Sequence, residues 1–337
     1  MRYSFQLLPH PNIHYQEALK TLAANELQWI LTALGIEAEI TLTDMGGSAF
    51  LCFDAPVLHE DALRHIAGHS ALLLLLEQQE DGLVRVMTKP DTAYLPHDLS
   101  EVLKYKGKTS ATFTRMMINC ALAASSFFGS SGQLTVLDPM CGKGTTAYCA
   151  LEMGMNASGV DVDSSDLAEA DAYLSRYMKL HRLKHQRTPR SVTVGGRGVS
   201  QVVYTLADTR EHYLAGDTRM LTLTEADTAR CDAIFRKSPA ELLITDLPYG
   251  IQHAPVGGRK PEPFAALLRR ALPSWRQAVR PGGAAAISFN TLTLPRDELI
   301  RLVSDAGFEP INEGSCAGFR HYVEQAVTRD VLIARRP

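Results

Sequence analysis

The chain has 337 residues, 45% of them hydrophobic and 21% charged, with a formal net charge of −3. These values suit a globular protein of two domains or one large one, and they exclude a protein that coats nucleic acid through bulk positive charge while leaving room for a local basic patch. Six scattered cysteines with no CxxC pair point to a reduced, cytoplasmic chain without a zinc site or disulfide framework; the longest apolar run, residues 71–76, is too short for a bilayer, and the first residues lack the apolar core of a signal peptide.

Residues 1–95 read as a small α+β unit. The run 3–8 is a strand, and 15–34 has apolar residues at helical spacing and stops at Gly35. Residues 37–43 and 48–54 alternate like two strands around a turn at Gly46 and Gly47, and 59–69 predicts a second helix. The runs 71–77 and 83–88 follow as strands joined through Asp81 and Gly82. The order βαββαβ is that of a ferredoxin-like split motif with an extra strand. Residues 89–98 hold two prolines and no period, and read as a linker.

From about residue 99 the pattern changes. A helical stretch at 110–126 precedes a strand at 134–138. Strands at 157–162, 241–246 and 283–289 then alternate with helices at 167–181, 263–279 and 296–307, which predicts an α/β domain with a mostly parallel sheet. Ligands in such sheets bind at the carboxyl ends of the strands. Residues 182–200 carry four arginines, one lysine, one histidine and no acid. Their glycines and proline suggest an exposed loop or small insertion, either a solvated surface or a contact to phosphates.

Four motifs carry chemistry. In VLDPMCGKGTT (136–146) a buried strand ends at Asp138, and a turn with Gly142 and Gly144 leads into a helix near Thr145. Glycines let the backbone approach a ligand, and the helix start supplies free amides. The run lacks the third glycine of G-x-G-x-x-G and the spacing of a Walker A loop. In GVDVD (159–163) Asp161, or failing it Asp163, is placed to accept from ribose hydroxyls. In LAGDTRML (214–221) Asp217 is either an acceptor for an adenine amine or a turn residue. In ITDLPYG (244–250) Asp246 offers a carboxylate, and Leu247 a carbonyl that Pro248 biases into an extended conformation. Tyr249 offers a flat face for a base, and Gly250 lets the chain turn away. Such a cluster clamps a planar exocyclic amine; a turn with a buried tyrosine is the plainer alternative.

Together these residues resemble the class I S-adenosylmethionine (SAM) methyltransferases that modify exocyclic amines, which carry [DNS]-P-P-[YF] at the position of Asp246–Tyr249. More narrowly, DPMCGKGT with DLPYG is similar to the THUMP-associated RNA guanosine-N2 methyltransferases, and residues 318–333 resemble that family's last strands. The resemblance covers roughly residues 99–337. It implies a Rossmann-like, mostly parallel, seven-stranded class I methyltransferase sheet over 96–337, beside the ferredoxin-like domain of 1–95, a candidate RNA contact. It also implies SAM as cofactor, no metal, and RNA as substrate, with tRNA favoured over rRNA. Asp138, Pro139, Cys141, Gly142, Gly144 and Thr145 would then hold the amino-acid end of SAM. Thr109, before the first strand, would lie over the methionine, Asp161 at the ribose and Asp217 at the adenine. Asp246, Leu247, Pro248 and Tyr249 would hold the target amine.

Three departures stand out. Lys143 occupies the glycine turn and either meets the SAM carboxylate or points outward. Leu247 replaces a proline, a change that spares the carbonyl. The N-terminal unit is too short to include a THUMP domain, so capture of RNA falls to the basic stretch 182–200 or to a protein partner. Rival readings are a DNA adenine methyltransferase, a protein glutamine methyltransferase, and a SAM-binding RNA-associated scaffold that has lost catalysis.

Overall fold

The computed structural model describes residues 1–10, 13–79, 83–103, 108–236, 239–248, 264–312 and 318–337. The N-terminal unit is a five-stranded antiparallel sheet with two helices on one face. In chain order its elements are β1 (Arg2–Leu7), α1 (Ile13–Ala33), β2 (Thr41–Met45), β3 (Ser48–Asp54), α2 (Glu60–Ala67), β4 (Leu72–Gln78) and β5 (Val84–Val86). The sheet order β2-β3-β1-β4-β5 is the ferredoxin-like arrangement with β5 as the added edge strand. Alternation along β1 turns Tyr3, Phe5 and Leu7 inward, onto Leu19, Leu27 and Ile30 of α1 and Leu51 and Phe53 of β3. The second strand begins at Thr41 rather than residue 37, and all of it is exposed.

The larger sheet has ten strands: β6 (Thr135–Asp138), β7 (Asn156–Asp161), β8 (His185–Val194), β9 (Arg197–Leu206), β10 (Arg219–Glu225), β11 (Ala240–Asp246), β12 (Val279–Asn290), β13 (Glu309–Ile311), β14 (His321–Glu324) and β15 (Val327–Arg335). Its path is β13-β15-β12-β11-β6-β7-β10-β9-β8, with β14 paired to β15. The strands β10, β7, β6, β11 and β12 are parallel, and β15 runs against them. From β10 to β13 this is the seven-stranded, Rossmann-like class I methyltransferase sheet that the resemblance implies; β8, β9 and β14 are additions.

Helices cover both faces. On one side lie α3 (Leu99–Val102), α4 (Ala111–Ala124), α5 (Thr145–Glu152) and α6 (Ser164–Leu180), whose apolar side chains join Val136, Ala157, Leu221 and Leu242 in one core. On the other lie α8 (Cys231–Phe235), α9 (Phe264–Ala278) and α10 (Arg296–Asp305), packed on Leu137, Leu243 and Ile287 around the fully buried Trp275. A short α7 (Arg210–Ala215) precedes β10. The central strands are buried on both sides, which is why they read as continuous apolar runs. Among the described residues no helix is long and apolar enough to cross a membrane.

Of the two readings of 182–200, an exposed loop or a small insertion, the structure shows the insertion: β8 and β9 are ten-residue strands of a hairpin that turns at Gly195 and Gly196, both at positive φ. The two units meet where α1 packs on α4. There the buried Glu26 accepts hydrogen bonds from the Ser70 amide (2.8 Å) and the Asn119 side chain (2.7 Å). Part of the linker is tied down as well, because the Tyr94 amide donates to the Glu152 carbonyl at 2.7 Å.

Candidate functional site

The turn after β6 is built by three constraints. The Cys141 amide donates to the Val160 carbonyl at 3.0 Å, which lays the turn against β7. Gly142 and Gly144 adopt φ of 46° and 87°, a region that L side chains avoid, and Gly144 caps α5. The Gly142 amide donates to Asp161 Oδ2 at 2.7 Å, so the strand-end acid already holds the turn. The other oxygen of Asp161 accepts from the Asp163 amide at 2.9 Å. Asp138 is buried at the base of the turn, together with Pro139, Cys141 and Thr145. Burial pushes its carboxyl up to about 7, against the Thr146 and Met140 hydrogen bonds that favour the charged form. Lys143 points outward, paired with Glu169 and 3.8 Å from Asp166 on α6.

Two acids take other places. Asp163 is the N-cap of α6 and accepts from the Ser165 and Asp166 amides. Asp217 is corrected: it follows the helix cap Gly216 (φ 80°) and precedes β10, at the end of the sheet opposite the glycine turn. There it pairs with Arg219 at 2.5 Å, and that guanidinium holds its carboxyl below the usual range. The acid at the correct end of the same strand is Glu225, in register with Asp161, followed by Ala226 and Asp227. The run LTLTEAD (221–227) carried that signal in the form a strand-end acid takes at Asp161. Val162, more than half exposed between two acids, gives this edge an apolar face.

Asp246 ends β11, the neighbour of β6, on the same strand-end edge. Its Oδ1 accepts from Ser288 Oγ at 2.6 Å, and Ser288 stands beside it in register on β12. Its Oδ2 accepts from Thr109 Oγ1 and lies 3.6 Å from a guanidinium nitrogen of Arg329. Thr109, expected beside the cofactor, therefore reaches the carboxylate of Asp246. Leu247 is buried, and its amide donates to the Ser288 carbonyl at 2.9 Å; Pro248 is half-buried. Tyr249 and Gly250 lie outside the described residues.

Behind Asp246 the wall is aromatic and basic. Arg329 lies 4.7 Å from the Phe113 ring centroid, and His321 is 5.4 Å from the same ring. His321 Nδ1 donates to the Phe319 carbonyl at 2.8 Å, and its buried Nε2 has no hydrogen-bond partner among the described residues. Burial lowers the pKa of this imidazole. Ser288 and Arg329 were missed in the sequence because each reaches the site through long-range register, whereas Glu225 had its strand-end signal and was passed over for Asp217. Among the described residues no group of three or more His, Cys, Asp or Glu could hold a metal ion. A cavity of 240 Å³ lies between α6 and the hairpin, lined by Ser164, Leu167, Asp171, Gln201 and Glu225.

No family model matches the chain, and no curated protein matches it. Several solved structures resemble it at low identity. The rRNA methyltransferase AviRa from Streptomyces viridochromogenes is 16% identical over 71% of this chain and 91% of its own, with a TM-score of 0.42. TrmN from Thermus thermophilus is 14% identical over 89% of this chain and 60% of its own, with a TM-score of 0.40. The 16S rRNA N2 methyltransferase RsmC from T. thermophilus, in complex with AdoMet and guanosine, is 13% identical over 89% and 58%, with a TM-score of 0.38. The chain thus spans about 60% of the length of TrmN and of RsmC.

Proposed function

We propose that this chain transfers a methyl group from SAM to the exocyclic amine of guanosine in RNA, with transfer RNA favoured over ribosomal RNA. The observation that carries the reading is Asp246. Its carboxylate ends a central strand, is oriented by Ser288, Thr109 and Arg329, and shares an edge with the glycine turn one strand away.

The residues at the turn fit the cofactor's chemistry. Asp138 is a buried acid suited to an ammonium group, and the amides opening α5 suit a carboxylate. Asp161 suits ribose hydroxyls, and Glu225 with Ala226 takes the adenine end in place of Asp217. When bound, SAM supplies an electrophilic methyl group on a sulfonium sulfur. Asp246 and the carbonyl of Leu247 each accept one hydrogen of the amine, which fixes the nitrogen's direction of attack. That pair favours the positive charge growing on nitrogen, and Asp246 receives the proton it sheds. The flipped base stacks on Tyr249, worth about 1–3 kcal/mol. In this reading residues 96–337 form the methyltransferase domain and residues 1–95 an accessory domain.

Nucleoside mass spectrometry of transfer and ribosomal RNA, from cells with and without the gene, tests the reaction. Loss of an N2-methylguanosine from one fraction supports it and names the RNA. An unchanged set of methylated nucleosides, with SAM still bound by the pure protein, sinks it. In vitro, Asp246→Ala removes turnover while sparing SAM binding.

A further inference from the structure

The hairpin β8–β9 is inserted between α6 and β10, and its direction decides what it does. Because β9 is antiparallel to β10, with Gln201 opposite Thr224, the chain before Gln201 runs out past the carboxyl ends of the parallel strands. The four steps from Gln201 back to Arg197 carry the hairpin about 13 Å along that direction. The tip therefore projects from the edge that bears Asp161, Glu225 and Asp246.

The arm is anchored rather than loose. Arg187 binds Asp171 of α6 through two nitrogens, at 2.8 and 2.5 Å, and the Tyr204 hydroxyl lies 2.5 Å from the same carboxylate. At the tip Arg230 donates to the Val194 carbonyl at 3.2 Å, and a Cβ on Gly195 would sit 2.7 Å from that guanidinium. Gly195 itself adopts φ 57°, a region that favours glycine.

The charge left over is positive. Elsewhere Arg219, Arg270, Arg280 and Arg296 pair with an acid, while Arg276 and Arg335 donate to carbonyls. On the arm only Arg187 pairs with an acid. Arg190 donates to the neutral Gln201 (2.6 Å), Arg230 to a carbonyl, and Arg197 is exposed on the turn. Among the described residues none of these three makes an ion pair. Arg190 and Arg197 share one face of the ribbon, because Arg190 pairs with Gln201 and Arg197 with Val194. Arg190 and Arg197 stand four ladder steps apart, roughly 13 Å of strand, a separation that suits phosphates along a chain better than one small anion.

We infer that the β8–β9 arm is the surface on which substrate RNA docks, with Arg190, Arg197 and Arg230 contacting backbone phosphates while the target nucleotide enters beside Asp246. This rests on the RNA-methylation reading. An anionic membrane fits less well, because the tip presents glycines and Arg197 and keeps Val194 buried, with no apolar wedge.

The test is binding of unfractionated tRNA by the full chain at several salt concentrations, with anionic lipid vesicles as comparator and SAM binding measured separately. Arg190→Gln/Arg197→Gln should weaken tRNA binding about tenfold and flatten the slope of log affinity against log salt by about 1.5, two contacts at roughly 0.7–0.9 each. Arg190→Lys/Arg197→Lys, which keeps the charge, should restore most of both. Unchanged affinity and slope in the glutamine variant, failure of the lysine variant to rescue, or capture of vesicles but not tRNA by the wild type would each overturn the inference. Absence of SAM binding by the wild type, with the arm-dependent slope intact, would instead strike the methyl-transfer reading alone.

Discussion

Arg329 sets its guanidinium 3.6 Å from the Asp246 carboxylate while resting against the Phe113 ring. The pair joins β15 to β11 across β12 and connects the Asp246 strand end to α4 through Phe113. Arg329 is almost fully buried, so its charge acts on Asp246 with little screening by water.

The expected consequence is selective. In Arg329→Gln, Ser288 and Thr109 still donate to Asp246, but the fixed charge behind the carboxylate is gone. Removing one such preorganised group costs on the order of 10²-fold in kcat. Affinity for SAM should stay within about twofold, because the residue does not face the glycine turn. Arg329→Lys should be intermediate, since an ammonium keeps the charge and loses the fork. Steady-state kinetics with separate SAM titrations check this, and a parallel loss of SAM affinity would place Arg329 elsewhere in the mechanism.

Gly159 is held to a hydrogen side chain by the turn it supports. A Cβ there would meet Cys141 Sγ at 2.7 Å and Leu223 Cδ2 at 3.3 Å. Gly159→Ala should therefore destabilise the protein by about 1–3 kcal/mol, as overpacking does, and weaken SAM binding by shifting the turn. Cys141→Ala removes the sulfur that clashes, so the double variant should recover more than additivity allows. Denaturant melts of the four proteins in the cycle give the answer; strict additivity would mean that the two residues do not press on each other.

The parts of this site legible in sequence are those whose chemistry is local. Strands buried on both faces announce themselves as apolar runs, and Asp138, Asp161 and Asp246 each close one. The N-terminal strand order was legible through alternation and turn glycines. The β8–β9 hairpin was not: β8 is the exposed edge of the sheet, so Arg, Thr, Ser and Gln fill positions that would otherwise alternate with apolar residues, while the buried half of β9, residues 201–206, is a mostly apolar run that was passed over. Asp217 misled because LAGD looks like a strand end and is a helix cap. Ser288 carries no local mark at all, and Arg329 only its place in the run 318–333; register across β11, β12 and β15 brings both to Asp246.

Glu26 is the polar centre of the joint between the two sheets. It is fully buried and accepts from the Ser70 amide, the Ser70 hydroxyl and Asn119, which also donates to the Gly68 carbonyl at 2.9 Å. Glu26→Ala leaves buried donors without an acceptor, which should cost about 3–5 kcal/mol. Glu26→Gln keeps one acceptor and the volume and should cost about 1 kcal/mol. Chemical denaturation of both variants measures it. Equal, small losses would mean that water replaces the acid at this joint.

Asp138 predicts a pH dependence with a definite sign. Its carboxyl is pushed up to about 7 by burial, against 3.8 in an exposed chain, and the nearby Asp161 charge adds to the shift. The folded protein thus holds this proton more tightly than the unfolded chain does. The contribution is full below the unfolded value near pH 4, falls as pH rises toward 7, and levels off above it, a span of roughly 4 kcal/mol at most. Asp138→Asn should flatten that fall and make the protein without SAM more stable than wild type at about pH 8. If Asp138 faces the SAM ammonium, SAM affinity should move the other way, rising up to about fivefold from pH 6 to 7, because the ligand's charge favours the ionised acid. Calorimetric SAM titrations across that range, in wild type and Asp138→Asn, separate the two effects. A pH-independent affinity in the wild type would remove Asp138 from the ammonium site and leave its role as the buried foot of the glycine turn.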